Sequence, residues 1–258
     1  MNNSFERINN QGVVYFRSGN IATPHGFSTR LGGVSKQPHL AEMNLGKTLG
    51  DEPEAVEENY RRMATAIGFC HGSVVFTNQI HSADVLTVGS GDIGKTYDCD
   101  GFVTGEAGVT LAVRTADCVP ILLYDPEAQV IGAVHAGWRG TAAGIQKNAV
   151  RRMCDLGSRP CDIRVAIGAC IHKCCYKVGE DFRNTLYDML GHELTDRHVS
   201  AELYADLVGL NVDMLCEAGV HPDNITASSD CTCCQPELYF SHRASKGKRG
   251  VMSAFISL

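Results

Sequence analysis

The sequence predicts a single α+β domain in which a mixed β-sheet is covered by helices. Eight apolar, β-branched runs read as buried strands, and several amphipathic segments read as helices. Some runs alternate with helices while others follow one another directly, which a purely parallel, doubly wound sheet does not accommodate. No Pro-, Ser- or Gly-rich linker, internal repeat or low-complexity tract interrupts the 258 residues, so one domain is expected over 1–258.

The elements follow in chain order. MNNSFERINN is the one stretch polar enough to suggest disorder, and the first strand follows at 13–16. DEPEAVEENYRRMATAIG predicts a helix capped by Asp51, with Glu54 placed as in a capping box and Val56, Tyr60, Met63 and Ile67 on one face. Gly68 ends it. Strands are expected at 74–77, 84–88, 109–114, 119–124 and 130–135. TAAGIQKNAVRRMCDLG predicts the second helix, starting at Thr141, with Ile145, Ala149, Met153 and Leu156 in a stripe. A strand at 163–168, a helix after VGEDF, a helix over about 200–218 carrying Leu203, Leu207, Leu210, Met214 and Leu215, and a final strand in GVMSAFISL complete the chain.

Composition excludes several function classes. Formal net charge is −6, and the basic clusters are confined to 61–62, 151–152 and SKGKRG near the C-terminus, so no basic face with interleaved aromatics advertises nucleic-acid binding. No apolar run approaches the ~18 residues of a membrane span and no signal segment opens the chain, which predicts a cytoplasmic protein. In that reducing compartment the twelve cysteines are expected to be thiols, mostly buried, or ligands.

Three residues carry the chemistry: His81 in QIHSADV, Cys118 in TADCVPILLYDP and His135 in IGAVHAGWRGT. Each follows a strand-like run, and strand ends can bring distant residues together. Two imidazoles and a thiolate make an incomplete tetrahedral shell, which for zinc leaves a position for water, phosphate or substrate. The same residues also suit a Cys118 nucleophile with His135 as its base. Asp117 can orient a histidine or receive a substrate hydroxyl. Arg139, at a helix start, and Arg30, in the glycine-paired HGFSTRLGGVS, are candidates for holding an anion. The cysteines of IGACIHKCCYKVG and SDCTCCQPELYF do not have the spacing of a paired C-x-x-C zinc site, so no second metal is expected there.

HGFSTRLGGVS, MNLGKTLGD, QIHSADV, DGFVT, TADCVPILLYDP, HAGWRGTAAGI, IGACI, YKVG, DCT and YFSHR together resemble the purine nucleoside phosphorylase family once called multicopper polyphenol oxidase or laccase-domain proteins, also YfiH-like. The resemblance runs from about residue 13 to the C-terminus. It implies a mixed β-sandwich core flanked by helices, with zinc, or copper in its place, on His81, Cys118 and His135. It further implies phosphorolysis of adenosine, inosine and methylthioadenosine, with adenosine deamination as an added activity. Cys118, Arg139 and Asp117 would then be catalytic, and Arg30, Asn44 and Arg139 would bind the nucleoside and phosphate. The chain departs from the family at Ala169, where proline is frequent, and at His242, where tyrosine is common, changes expected to reshape a pocket edge without touching the ligands. Three other readings stand beside this one: a hydrolase editing peptidoglycan precursors through Cys118, a copper-dependent polyphenol oxidase, and a zinc-stabilised binding module. Oligomeric state is not legible in these residues.

Overall fold

The computed structural model describes residues 4–258. Its strands are β1 (Phe5–Asn10), β2 (Val13–Ser18), β3 (His25–Ser28), β4 (Val74–Asn78), β5 (Val85–Thr87), β6 (Thr96–Asp98) and β7 (Gly101–Thr104). They continue with β8 (Thr110–Thr115), β9 (Val119–Asp125), β10 (Val130–Ala136), β11 (Arg164–Ile167), β12 (Ile225–Ala227) and β13 (Met252–Ser257). The helices are α1 (Pro53–Ile67), α2 (Trp138–Ala142), α3 (Ile145–Asp155), α4 (Glu180–Leu190), α5 (His192–His198), α6 (Leu207–Glu217) and α7 (His242–Ser245).

Two mixed sheets form, one in the order β1-β2-β3-β13-β8-β4-β6 and the other in the order β12-β11-β9-β10-β7-β5. The period-2 alternation of side chains assigns each face. Leu122 and Tyr124 of β9 join Leu111, Val113, Ala254 and Ile256 of the first sheet in a core between the sheets. Val119, Ile121 and Leu123 point the other way and pack with Ile145, Ala149 and Met153 of α3 and Leu210 and Met214 of α6. The outer face of the first sheet is closed by Val56, Tyr60 and Met63 of α1. A strand buried on both faces must be apolar at every position, which is why VPILLYD reads as a continuous run. The protein is therefore a single α+β domain with a mixed β-sandwich flanked by helices.

All eight anticipated strands form. Those not anticipated, β1, β3, β6, β7 and β12, are short, polar or glycine-containing, and tertiary pairing rather than pattern holds them. The expected disorder of residues 1–10 does not extend into β1, which pairs along its whole length with β2; residues 1–3 lie outside the described residues. Asp51 does not cap α1, because Glu52 occupies that position and Asp51 instead accepts hydrogen bonds from Ser35 Oγ and Asn44 Nδ2. The helix expected to start at Thr141 is split: α2 begins at Trp138, and Gly144, at φ 80°, separates it from α3. The span 200–206 is not helical either, since Asp206 caps α6 by accepting from Gly209 N. Nor are the cysteines mostly buried; only Cys99, Cys170 and Cys231 are.

Candidate metal centre

Register brings the three sequence-distant residues together. β4 and β8 are parallel neighbours, so their C-terminal ends open at the same edge of the first sheet. His81 lies just past β4, and Cys118 lies where the chain crosses from β8 into β9 of the second sheet. β9 and β10 are antiparallel with Ala136 opposite Val119 and His135 opposite Pro120, so the end of β10 lies beside the start of β9. One ligand atom each from His81, Cys118 and His135 consequently falls within a 4.8 Å cluster. The imidazoles meet edge to face, with centroids 4.9 Å apart. His135 is buried, Cys118 half-buried and His81 exposed, so the cluster is accessible from one side.

A buried residue that sequence reasoning left without a role orients this cluster. Asp100 Oδ1 accepts from His135 Nδ1 at 2.8 Å and from His81 N at 3.1 Å. Its Oδ2 accepts from Ile80 N at 3.2 Å, Ser82 N at 2.7 Å and Ser82 Oγ at 2.9 Å. The left-handed backbone of His81, φ 60°, turns three successive amides onto one carboxylate, as in an anion nest. With Nδ1–H donated to Asp100, the Nε2 lone pair of His135 faces Cys118, the arrangement in which a carboxylate fixes the tautomer of a ligating histidine. The one signal in the sequence was Asp100 at the head of DGFVT.

Electrostatics agree with a cation site. Burial, followed by the charges of His135 and Arg139, pushes the His81 imidazole below its ordinary pKa, which favours the neutral, ligating form. Burial also opposes charge on His135, but Cys118 and Asp100 outweigh it and carry His135 up to about 9. A bound metal supplies that positive charge instead and releases the His135 proton. Two imidazoles and one thiol, with a second-layer carboxylate, fit a borderline-soft divalent ion with one coordination position open.

The cluster lies in a cleft of about 240 Å³, lined also by Leu49, Asn78, Gln79, Arg114, Arg249 and Val251. Arg249 comes from the SKGKRG segment; burial lowers its pKa, and its Nε is a buried donor without a hydrogen-bond partner. Such a donor is costly unless a ligand accepts from it. Arg114 donates one bond to Thr77 O and otherwise borders the same cleft.

The other anticipated residues are dispersed. Arg139 stacks on Trp138 at 4.3 Å, pairs with no carboxylate among the described residues, and is close enough for its charge to act on His81. Asp117, at φ 92°, accepts from Thr232 Oγ1 at 2.7 Å and from Arg243 N at 2.6 Å, so both carboxylate oxygens hold neighbouring segments in place. Arg30 donates to Ala41 O and Pro236 O, lies over Phe240, and lines a different cavity. Asn44 is fully buried and bonds Gly46, Asp51 and Val251, outside the cleft lining. Arg30 and Asn44 thus lie outside the lining of the cleft, whose arginines are Arg114 and Arg249.

Comparison with known proteins places this geometry in a family. Residues 24–258 match the family described as multi-copper polyphenol oxidoreductase laccase. A purine nucleoside phosphorylase of Deinococcus radiodurans is 39% identical over 248 residues, covering 96% of this chain and 94% of the relative. The purine nucleoside phosphorylase YlmD of Geobacillus stearothermophilus is 40% identical over 243 residues, covering 90% and 88%. The crystal structure of the Bacillus licheniformis hypothetical protein YfiH superimposes with a TM-score of 0.90 at 31% identity, covering 98% of both chains. The chain belongs to the laccase-like, YfiH/YlmD family, whose relatives include proteins named purine nucleoside phosphorylase.

Proposed function

We propose that the chain is a zinc-dependent purine nucleoside phosphorylase acting on adenosine, inosine and methylthioadenosine, with adenosine deamination as a secondary activity. The carrying observation is a three-donor, open-sided cluster sharing its cleft with two arginines, one of which presents an unsatisfied buried donor. Zinc on His81, Cys118 and His135 would supply a Lewis acid for phosphate, or for the water that deamination needs. Asp100 holds His135 in the ligating tautomer. Arg249 and Arg114 fix the phosphate dianion, and Leu49 and Val251 give a purine an apolar surface. Arg139 adds positive potential from the helix side. As the glycosidic bond breaks, the electron pair leaves with the base, the proton carried by the hydrogen phosphate dianion is passed to that base, and a phosphate oxygen bonds to the ribose anomeric carbon. Holding phosphate in line converts this into a nearly unimolecular step. The reading takes the protein as cytoplasmic, with a nucleoside and phosphate rather than nucleic acid or membrane as partners, on the ground of a net charge of −6 without a basic face.

The test is phosphate-dependent release of hypoxanthine from inosine by metal-quantified protein. Turnover should require phosphate, should vanish in Cys118→Ala, and should show a KM for phosphate raised at least ~10-fold in Arg249→Gln, the scale of one charge-assisted hydrogen bond. Phosphate-independent turnover, or full activity in Cys118→Ala, would overturn the proposal.

A second reading has its own observation: the Asp100–His135–Cys118 chain of contacts is the geometry of an activated thiol, suited to a hydrolase editing peptidoglycan precursors. It predicts rapid alkylation of Cys118 in active protein, whereas a ligated thiolate is protected. A multicopper oxidase needs several histidine-rich centres, and the two clusters of the described residues contain two histidines in all. A purely structural zinc would draw a fourth protein donor, and no spare cysteine joins this shell.

A further inference from the structure

We propose that Cys174, Cys175, Cys231 and Cys234 form a second metal centre, a closed tetrathiolate shell for zinc that joins the loop after β11 to the loop after β12. The sequence lacks the two C-x-x-C pairs that usually mark such a site. Here Cys231 and Cys234 form one, and the adjacent cysteines 174 and 175 supply the other two donors.

Geometry carries the inference. All four sulfurs lie within 4.8 Å of one another. Cys234 Sγ is 3.6 Å from Cys174 Sγ and 3.3 Å from Cys175 Sγ. A zinc–sulfur bond of ~2.3 Å gives a regular tetrahedron edges of about 3.8 Å, so these separations need only small side-chain adjustments. Each pair sits on a tight turn, with Cys234 N and Gln235 N donating to Cys231 O, and Cys175 N and Tyr176 N donating to His172 O. His172 N donates to Cys231 Sγ at 3.4 Å, reaching across from the other loop.

The chemistry agrees. Burial would raise Cys231, yet backbone amides on its sulfur bring its pKa below the ordinary thiol value. Burial and repulsion from neighbouring sulfurs raise Cys174 to about 11 and push Cys175 up as well. A divalent ion removes that repulsion and releases the thiol protons to solvent. Cys174 and Cys234 are exposed, giving a path of entry. Four protein donors leave no open position, so this centre is structural, unlike the three-donor cleft.

Its place in the fold gives it a task. Cys170 and Cys231 pair as a parallel bridge, and Thr232 N donates to Cys170 O. Thr232 Oγ1 and Arg243 N both bind the carboxylate of Asp117, next to Cys118. Zinc here would fasten the two loops that hold Asp117, the neighbour of Cys118, through Thr232 Oγ1 on its carboxylate and Ile171 N on its carbonyl.

The test counts metal on reduced protein produced with added zinc. The wild type should carry two zinc ions per chain. Cys118→Ala, which disables the cleft site, should retain one, and its cobalt derivative should show the intense thiolate-to-metal charge transfer of a tetrahedral sulfur site. Adding Cys174→Ser and Cys234→Ser to that variant should abolish both signals. Cys118→Ala that folds but binds neither zinc nor cobalt would overturn the proposal. So would an intact mass showing a disulfide among these cysteines in freshly isolated wild type. Neither readout depends on catalytic activity, so failure of the phosphorylase proposal would leave this one standing, and the reverse.

Discussion

Replacing Asp100 with asparagine tests the logic of the cleft site, because it changes one atom of a carboxylate that accepts five hydrogen bonds. The amide keeps one acceptor and turns an NH2 toward one of two groups of donors. Facing the Oδ1 side, it opposes His81 N and His135 Nδ1. Facing the Oδ2 side, it opposes Ile80 N and Ser82 N, while the Ser82 hydroxyl can rotate to accept. The first orientation loses the bond from His81 N outright and keeps that to His135 only with Nδ1 as acceptor, whereas the second loses two charge-assisted bonds, at about 1.5–3 kcal/mol each, for a total of about 3–6 kcal/mol. That is a large share of the ~5–15 kcal/mol stability of an ordinary domain. In the first orientation the proton of His135 also moves to Nε2, the nitrogen that must ligate, so metal affinity should fall by ~10–100-fold. Urea denaturation of metal-free protein and zinc competition with a chromophoric chelator measure the two losses separately. Asp98→Asn is the control, since Asp98 is exposed and accepts from the exposed Asn78. An Asp100→Asn protein with wild-type urea midpoint and wild-type zinc affinity would refute the reasoning.

Two further outcomes follow from the structure. A methyl group on Gly137 would stand 2.6 Å from His81 Nδ1 and 3.6 Å from Cys118 Sγ, so Gly137→Ala should displace His81 and weaken metal binding by at least ~10-fold while leaving the urea midpoint of metal-free protein within about 1 kcal/mol of wild type; equal zinc affinity would show that His81 is not a ligand. His25 is buried, its Nδ1 bonding Thr23 O and its Nε2 accepting from Ser18 N, and burial lowers its pKa from 6.5 to about 4. Its neutral form is the folded form, so the unfolded chain takes up the extra proton below pH 6.5; stability is intact above that pH and declines by about 3 kcal/mol as pH falls toward 4. Urea titrations at pH 7 and 4.5 should show this loss in wild type and a smaller one in His25→Gln; identical losses would remove His25 from the account.

What the sequence determined was whatever depends on local pattern. VPILLYD and VIGAVHA had to be strands buried on both faces, and the stripe of Ile145, Ala149 and Met153 had to face a sheet. The donor types of His81, Cys118 and His135 were legible too, because imidazole and thiol chemistry does not depend on the fold. Pairing decided the rest. β1 and β3 are strands because β2 and β13 offer them partners, not because their residues demand it. Asp100 gained its role only when three amides turned by the left-handed His81 met its carboxylate, and Arg249 reached the cleft from the far end of the chain. Arg30 was drawn elsewhere by Ala41, Pro236 and Phe240. The four clustered cysteines make the same point, since no local spacing announces a shell whose halves meet only after β11 and β12 lie side by side. Composition and periodicity act over a few residues, whereas a binding site is an intersection of strand ends, and only strand register says which ends coincide.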